Sequence, residues 1–63
     1  MNSYERIQRA ISRIESHLTE PIRIDQLAVE ACFSPAHFYR MFHALTGHPV
    51  KEYIRKRRLS EAA

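Results

Sequence analysis

Ala36, Tyr39, Arg40 and His43 recur at offsets of three and four, so on a helix they share one face. A phenol, a guanidinium and an imidazole on one exposed strip suit holding a polar or anionic partner. A short way on stand Lys51, Arg55, Lys56, Arg57 and Arg58. The formal charge of the chain is only +3, but it is unevenly placed. Residues 1–39 carry four basic side chains (Arg6, Arg9, Arg13, Arg23) against five acidic ones, a net of −1. Residues 40–63 carry six basic side chains against Glu52 and Glu61, a net of +4. A basic half beside an exposed helix face suits a polyanion such as nucleic acid. The competing reading of such a charge run is a solvated helix face.

Other chemistries find little support. Cys32 is the single cysteine, which excludes an internal disulfide framework and suits a reducing cytoplasm. It has no base placed beside it by sequence, and a lone thiol in an apolar context is usually inert. His37 and His43 lie six residues apart, about 240° round a helix, and cannot share a metal; His17 and His48 have no suitable partners either. No catalytic set, cofactor motif or metal site is expected. No apolar run approaches the roughly 18 residues of a membrane span, and the N-terminus carries no signal-peptide pattern. The reading is a soluble chain of the cytoplasm that is not an enzyme.

The elements that must position these side chains are helices. Ile7, Ile11, Ile14 and Leu18 recur at intervals of four, three and four, which predicts a first helix over about 3–19, with Asn2 and Glu5 as a capping pair and Pro21 as the stop. A short second helix is expected over about 24–31, burying Ile24, Leu27, Ala28 and Ala31, but Arg23 is a poor cap. Cys32 and Phe33 make a tight connection, with Phe33 as a core plug. A third helix follows over about 35–46. Ser34 caps it with a hydroxyl that acts as a cap and not as a nucleophile, Pro35 fits its first position, and Gly47 closes it in the left-handed conformation. Phe38, Met41, Phe42 and Leu45 form its apolar face. After the Gly47-His48-Pro49 break, a fourth helix is expected over about 50–63, with Val50, Tyr53, Ile54 and the aliphatic stem of Arg57 on its inner side. Sixty-three residues allow one small domain, 1–63, that is marginal alone.

Two short helices joined by a tight turn, the second with an exposed polar face, describe a helix-turn-helix. The residues then match something narrower. Ile24-Asp25-Gln26-Leu27-Ala28, Phe33-Ser34-Pro35-Ala36-His37-Phe38-Tyr39-Arg40-Met41-Phe42, Thr46-Gly47 and Tyr53-Ile54-Arg55-Lys56-Arg57-Arg58-Leu59 with Ala62 closely resemble the DNA-binding domain of the AraC/XylS family of bacterial transcription regulators. The spacing is kept without a gap over nearly the whole chain. In that family the domain has about seven helices and two helix-turn-helix units joined by a long linker helix. The resemblance therefore implies an all-α, homeodomain-like unit of about four helices: a first helix, the first helix-turn-helix and the opening of the linker helix. The second unit and any ligand-sensing domain are then missing from a fragment or truncated product, with no small-molecule ligand evident. Three positions depart from the family pattern. Cys32 replaces the usual turn Gly, at a cost of up to about 1–2 kcal/mol if φ must be positive. Arg23 replaces a capping Ser or Thr, and Pro49 falls one position early.

The resemblance also implies roles. The third helix would lie in the major groove of double-stranded DNA, with base contacts from Pro35, Ala36, Tyr39 and Arg40. The Arg40 guanidinium can pair with guanine O6 and N7, worth about 1–3 kcal/mol of discrimination. Tyr39 and Ala36 could meet a thymine methyl. Ser34, His43, Lys51, Arg55 and Arg58 would touch phosphates. The alternative is a protein-interaction or oligomerisation module that uses the same fold, since fold does not fix function.

Overall fold

The computed structural model describes residues 2–62, so the expected extension of the last helix to Ala63 lies outside the described residues. Asn2 opens the first helix, α1 (Ser3–Ser16), with its Oδ1 accepting the Glu5 N–H at 2.8 Å. Apolar side chains at i, i+3 and i+7 put Ile7, Ala10 and Ile14 on the inner face of α1. The helix ends at Ser16, three residues before the expected Thr19. His17 stops it: its N–H turns back to the Ile14 carbonyl at 3.1 Å, and its ring Nδ1 donates to the Arg13 carbonyl at 2.9 Å. A carbonyl left without a helical partner is thus satisfied by a side chain.

The second helix, α2 (Ile24–Glu30), starts without a side-chain cap at Arg23, which instead reaches Asp25 at 3.3 Å. Its end is tightly built. The Phe33 N–H donates to the Ala28 carbonyl at 2.8 Å and the Cys32 N–H to the Val29 carbonyl at 3.0 Å, the paired bonds of a Schellman motif. That motif requires a left-handed residue just past the helix, and Cys32 takes it with φ 63°. The third helix, α3 (Pro35–Thr46), follows after Ser34. The fourth, α4 (Val50–Ala62), begins with the Tyr53 N–H donating to the Pro49 carbonyl at 2.9 Å. The architecture is all-α, with no strand among the described residues.

All four helices supply the core. Ile7, Ala10 and Ile14 of α1, Leu27 and Ala28 of α2 with Ala31 at its end, Phe38 and Phe42 of α3, and Val50 and Ile54 of α4 are buried together. Phe38 and Phe42 are the largest fully buried side chains, each contributing about 1.5–3 kcal/mol by leaving water. An aromatic chain runs from Phe33 to Phe38 (centroids 6.5 Å apart), on to Phe42 (5.9 Å) and to Tyr53 (5.5 Å, edge-on), and so ties the turn, α3 and α4 into one body. Leu45, expected on the apolar face of α3, is not buried, and Leu59 of α4 is exposed as well. Leu45 is 42% exposed and Leu59 is 66% exposed, because the packed layers stop before the C-terminal ends of α3 and α4.

Candidate nucleic-acid interface

The candidate interface is the outward face of α3 and the cations near it. Ser34 stands before the helix with extended backbone (φ −69°, ψ 155°), and its Oγ accepts the His37 N–H at 3.3 Å. An accepting hydroxyl keeps its own hydrogen, so Ser34 can cap α3 and still donate outward. Pro35 fills the first helical position, where no N–H is required. At the other end Gly47 has φ 79°, and its N–H donates to the His43 carbonyl at 2.9 Å. Thr46 secures this turn: its Oγ1 donates to the Phe42 carbonyl at 2.7 Å and accepts the His48 N–H at 3.2 Å.

With both ends fixed and Phe38 and Phe42 inside, the opposite side of α3 is held outward. Pro35, Ala36, Tyr39, Arg40 and His43 are all exposed. Among the described residues Arg40 has no ion pair, hydrogen bond or ring contact, so its five N–H donors are available to a ligand. On α4, Lys51, Arg55 and Arg58 fall at i, i+4 and i+7. They line one shallow groove with Ile22, Ile24, Ile54 and Leu59. Lys51 and Arg55 are exposed and, among the described residues, unpaired.

Arg58 departs from the phosphate role expected for it. Its Nε donates to the Leu18 carbonyl at 3.2 Å and its Nη2 to the Glu20 carbonyl at 2.8 Å. The residues between α1 and α2 leave carbonyls with no helical partner, and the guanidinium of Arg58 satisfies two of them. This side chain fastens a loop.

A second internal tie escaped the sequence reading. Glu15 accepts from Arg57 through Nε and Nη2, at 2.6 Å for the shortest contact, and from the Tyr53 hydroxyl at 2.9 Å. The Arg57 hydrogen bond holds the Glu15 carboxyl below its ordinary value, against the opposing effect of burial, with help from Tyr53. Burial, and then the bond to Glu15, push the Tyr53 phenol up. The arrangement clamps α4 to α1. Its partners stand 38 and 42 residues apart, and the only sequence signal was the i, i+4 spacing of Tyr53 and Arg57 on one side of α4. Among the described residues no three His, Cys, Asp or Glu side chains gather as a metal site. No helix there is long and apolar enough to cross a membrane.

A short helix, a Schellman turn and a doubly capped helix with one free polar face define a helix-turn-helix unit of the DNA-binding class. Comparison with known proteins narrows the class. The profile described as "Bacterial regulatory helix-turn-helix proteins, AraC family" matches residues 14–55. The chain belongs to that family, whose fold serves DNA binding in transcription regulation. It is 46% identical over 50 residues to the right origin-binding protein of Escherichia coli K12, covering 79% of this chain and 17% of that protein. It is 44% identical over 61 residues to an uncharacterized HTH-type transcriptional regulator, YbfP, of Bacillus subtilis, covering 95% of this chain and 21% of that one. It is 38% identical over 63 residues to regulatory protein SoxS of Salmonella typhimurium, covering all of this chain and 59% of SoxS. The chain thus spans only part of the length of the curated relatives it matches. No solved structure matches it.

Proposed function

We propose that α3 enters the major groove of double-stranded DNA and that this chain acts as the first helix-turn-helix of an AraC-type regulator of the bacterial cytoplasm. Arg40 is the principal base reader, and Tyr39 sits beside it on the same turn. Pro35 and Ala36 are small enough to let the start of α3 approach the bases closely. Ser34, His43, Lys51 and Arg55 meet phosphates. Arg58 reaches a phosphate only by releasing the carbonyls of Leu18 or Glu20. The observation that carries the reading is an exposed Arg40, unpaired among the described residues, on a helix whose other face is locked by Phe38 and Phe42.

One such helix reads about half of an intended site, so affinity alone is weak and strongly salt-dependent. The test is a titration of duplexes of varied sequence with Arg40→Ala and Lys51→Ala. Arg40→Ala lowers discrimination by about 1–3 kcal/mol at particular base pairs, whereas Lys51→Ala weakens every duplex alike. Equal losses from both substitutions across all sequences would count against Arg40 as a reader. A helical protein partner is the competing reading, favoured by Leu59, exposed beside Ile22 and Ile24. Binding that ignores DNA and salt would select it.

A further inference from the structure

We propose that Arg6, held over the Phe33 ring beside the start of α3, is a phosphate-binding residue of the DNA interface. This rests on the reading of α3 as the DNA-contacting helix. The Arg6 guanidinium carbon lies 5.5 Å from the Phe33 ring centroid. Phe33 is itself fixed. Its N–H closes the Schellman motif on Ala28, its ring packs against Phe38, and the His37 ring stacks on it at 5.0 Å with only 12° between the planes. His37 belongs to the first turn of α3. A cation from α1 is therefore held within one aromatic ring of the helix start where Ser34, Pro35 and Ala36 are exposed.

The surroundings of Arg6 separate it from the arginines that are held by carboxylates. Arg13 meets Glu30, Arg23 meets Asp25 and Arg57 meets Glu15. Arg6 has no carboxylate and no hydrogen-bond acceptor for its side chain among the described residues. At 5.5 Å from the centroid the cation is within reach of the negative face of the ring, an attraction that takes none of its five N–H donors. Planar and without a polar partner among the described residues, it matches a phosphodiester, which accepts two parallel N–H bonds. The ring has already removed much of the side chain's freedom, so less is lost when phosphate binds. A helix entering the major groove has phosphates on both walls. Arg6 reaches for a wall from beside the start of α3, and the α3 side chains reach the bases.

The test is duplex titration over a range of salt concentrations with the wild-type chain, Arg6→Ala, Arg6→Gln and Arg9→Ala. Arg9 is exposed on the same helix and stands on no ring. Loss of one phosphate contact lowers the slope of log K against log salt by about 0.9 and weakens binding roughly 5–10-fold near 0.1 M salt, equally for all sequences. Arg6→Gln keeps most of the side chain over the ring and removes the charge, so it shows the same loss with thermal stability close to wild type. Arg9→Ala leaves the slope unchanged. An unchanged slope in both Arg6 variants, while Arg40→Ala still loses discrimination, overturns the assignment of Arg6 and leaves the function standing. A wild-type chain that fails to bind duplex, or binds without salt dependence, overturns both.

Discussion

Replacing Cys32 by Gly should make the protein more stable, although it deletes a side chain. Cys32 holds φ 63° so that Phe33 and Cys32 can bond back to Ala28 and Val29. For a residue with a Cβ, that conformation costs about 1–2 kcal/mol relative to the ordinary helical region. The thiol recovers little of this, since Cys32 is exposed. Glycine removes the strain but gives the unfolded chain more freedom, which offsets about 0.5–1 kcal/mol. The expected net gain is about 0.5–1 kcal/mol, or roughly 2–8 °C in Tm for a domain of this size. The assay is thermal and urea unfolding followed by circular dichroism, with Cys32→Ala as the control. Alanine also lacks the thiol but keeps the Cβ, so it should show no comparable gain. If Cys32→Ala stabilises as much as Cys32→Gly, the thiol and not the backbone was the burden, and the strain argument fails. The gain should come without a change in intrinsic DNA affinity, because no group on the outward face of α3 is altered.

Gly47 is the mirror of this case. Its φ is 79° and a Cβ there would meet nothing within 4 Å, so Gly47→Ala should cost about 1 kcal/mol of backbone strain, read as a lower unfolding midpoint. The Glu15 clamp gives a pH signature. Its folded value is lowered, so its contribution is fully present above the ordinary 4.5 and is lost as the pH falls through the lower folded value. Tyr53 has the opposite sign: its contribution is present below the ordinary 10.0 and is lost as the pH rises through the raised folded value. Glu15→Gln should cost about 1 kcal/mol at pH 7, in keeping with a bidentate pair that is one-third exposed, and should flatten the acid limb of a stability-against-pH profile. An acid limb identical to wild type would show that another carboxylate governs it.

What was legible in the sequence was local. Asn2, Ser34, Pro35 and Gly47 act on backbone groups within a few residues of themselves, so their types predicted the ends they make. Cys32 was flagged only as a departure from a pattern, and its strain needed a backbone angle. Leu45 continues the apolar spacing of Phe38, Met41 and Phe42, but periodicity says which side a residue faces and not whether a neighbour extends that far. His17 ended α1 early through its own ring, a local event that the apolar stripe to Leu18 concealed. The Glu15, Tyr53 and Arg57 clamp, the Arg58 loop tie and the Arg6 stack all join residues far apart in the chain. The i, i+4 spacing of Tyr53 and Arg57 puts those two on one side of α4, but no spacing names the distant residue that each of these side chains meets. The outward face of α3 was therefore readable early, while the fate of the cations around it was not.

That fate decides how the chain should respond to salt. Lys and Arg number ten, yet several already have partners within the chain, Arg57 half-buried and Arg13 and Arg23 in exposed pairs. Arg13, Arg23 and Arg57 hold carboxylates, and Arg58 holds two carbonyls. Lys56 stands 3.9 Å from Glu52, an exposed i, i+4 pair worth only a few tenths of a kcal/mol and easily exchanged. Among the described residues Arg9, Arg40, Lys51 and Arg55 have no partner, and Arg6 has only the Phe33 ring. On the proposed reading, with Arg40 on a base and Arg9 outside the interface, Arg6, Lys51 and Arg55 remain for phosphates. Three contacts give a slope of log K against log salt of about −2.7. If Lys56, Arg57 and Arg58 abandoned their internal partners for DNA, the slope would approach about −5.4. A slope near the steeper value would mean that binding dismantles the clamp and the loop tie, and the free chain would then be a poor guide to the bound one. A slope near the shallower value, insensitive to Arg57→Lys, is the result expected of a fold that keeps its internal cations where they are.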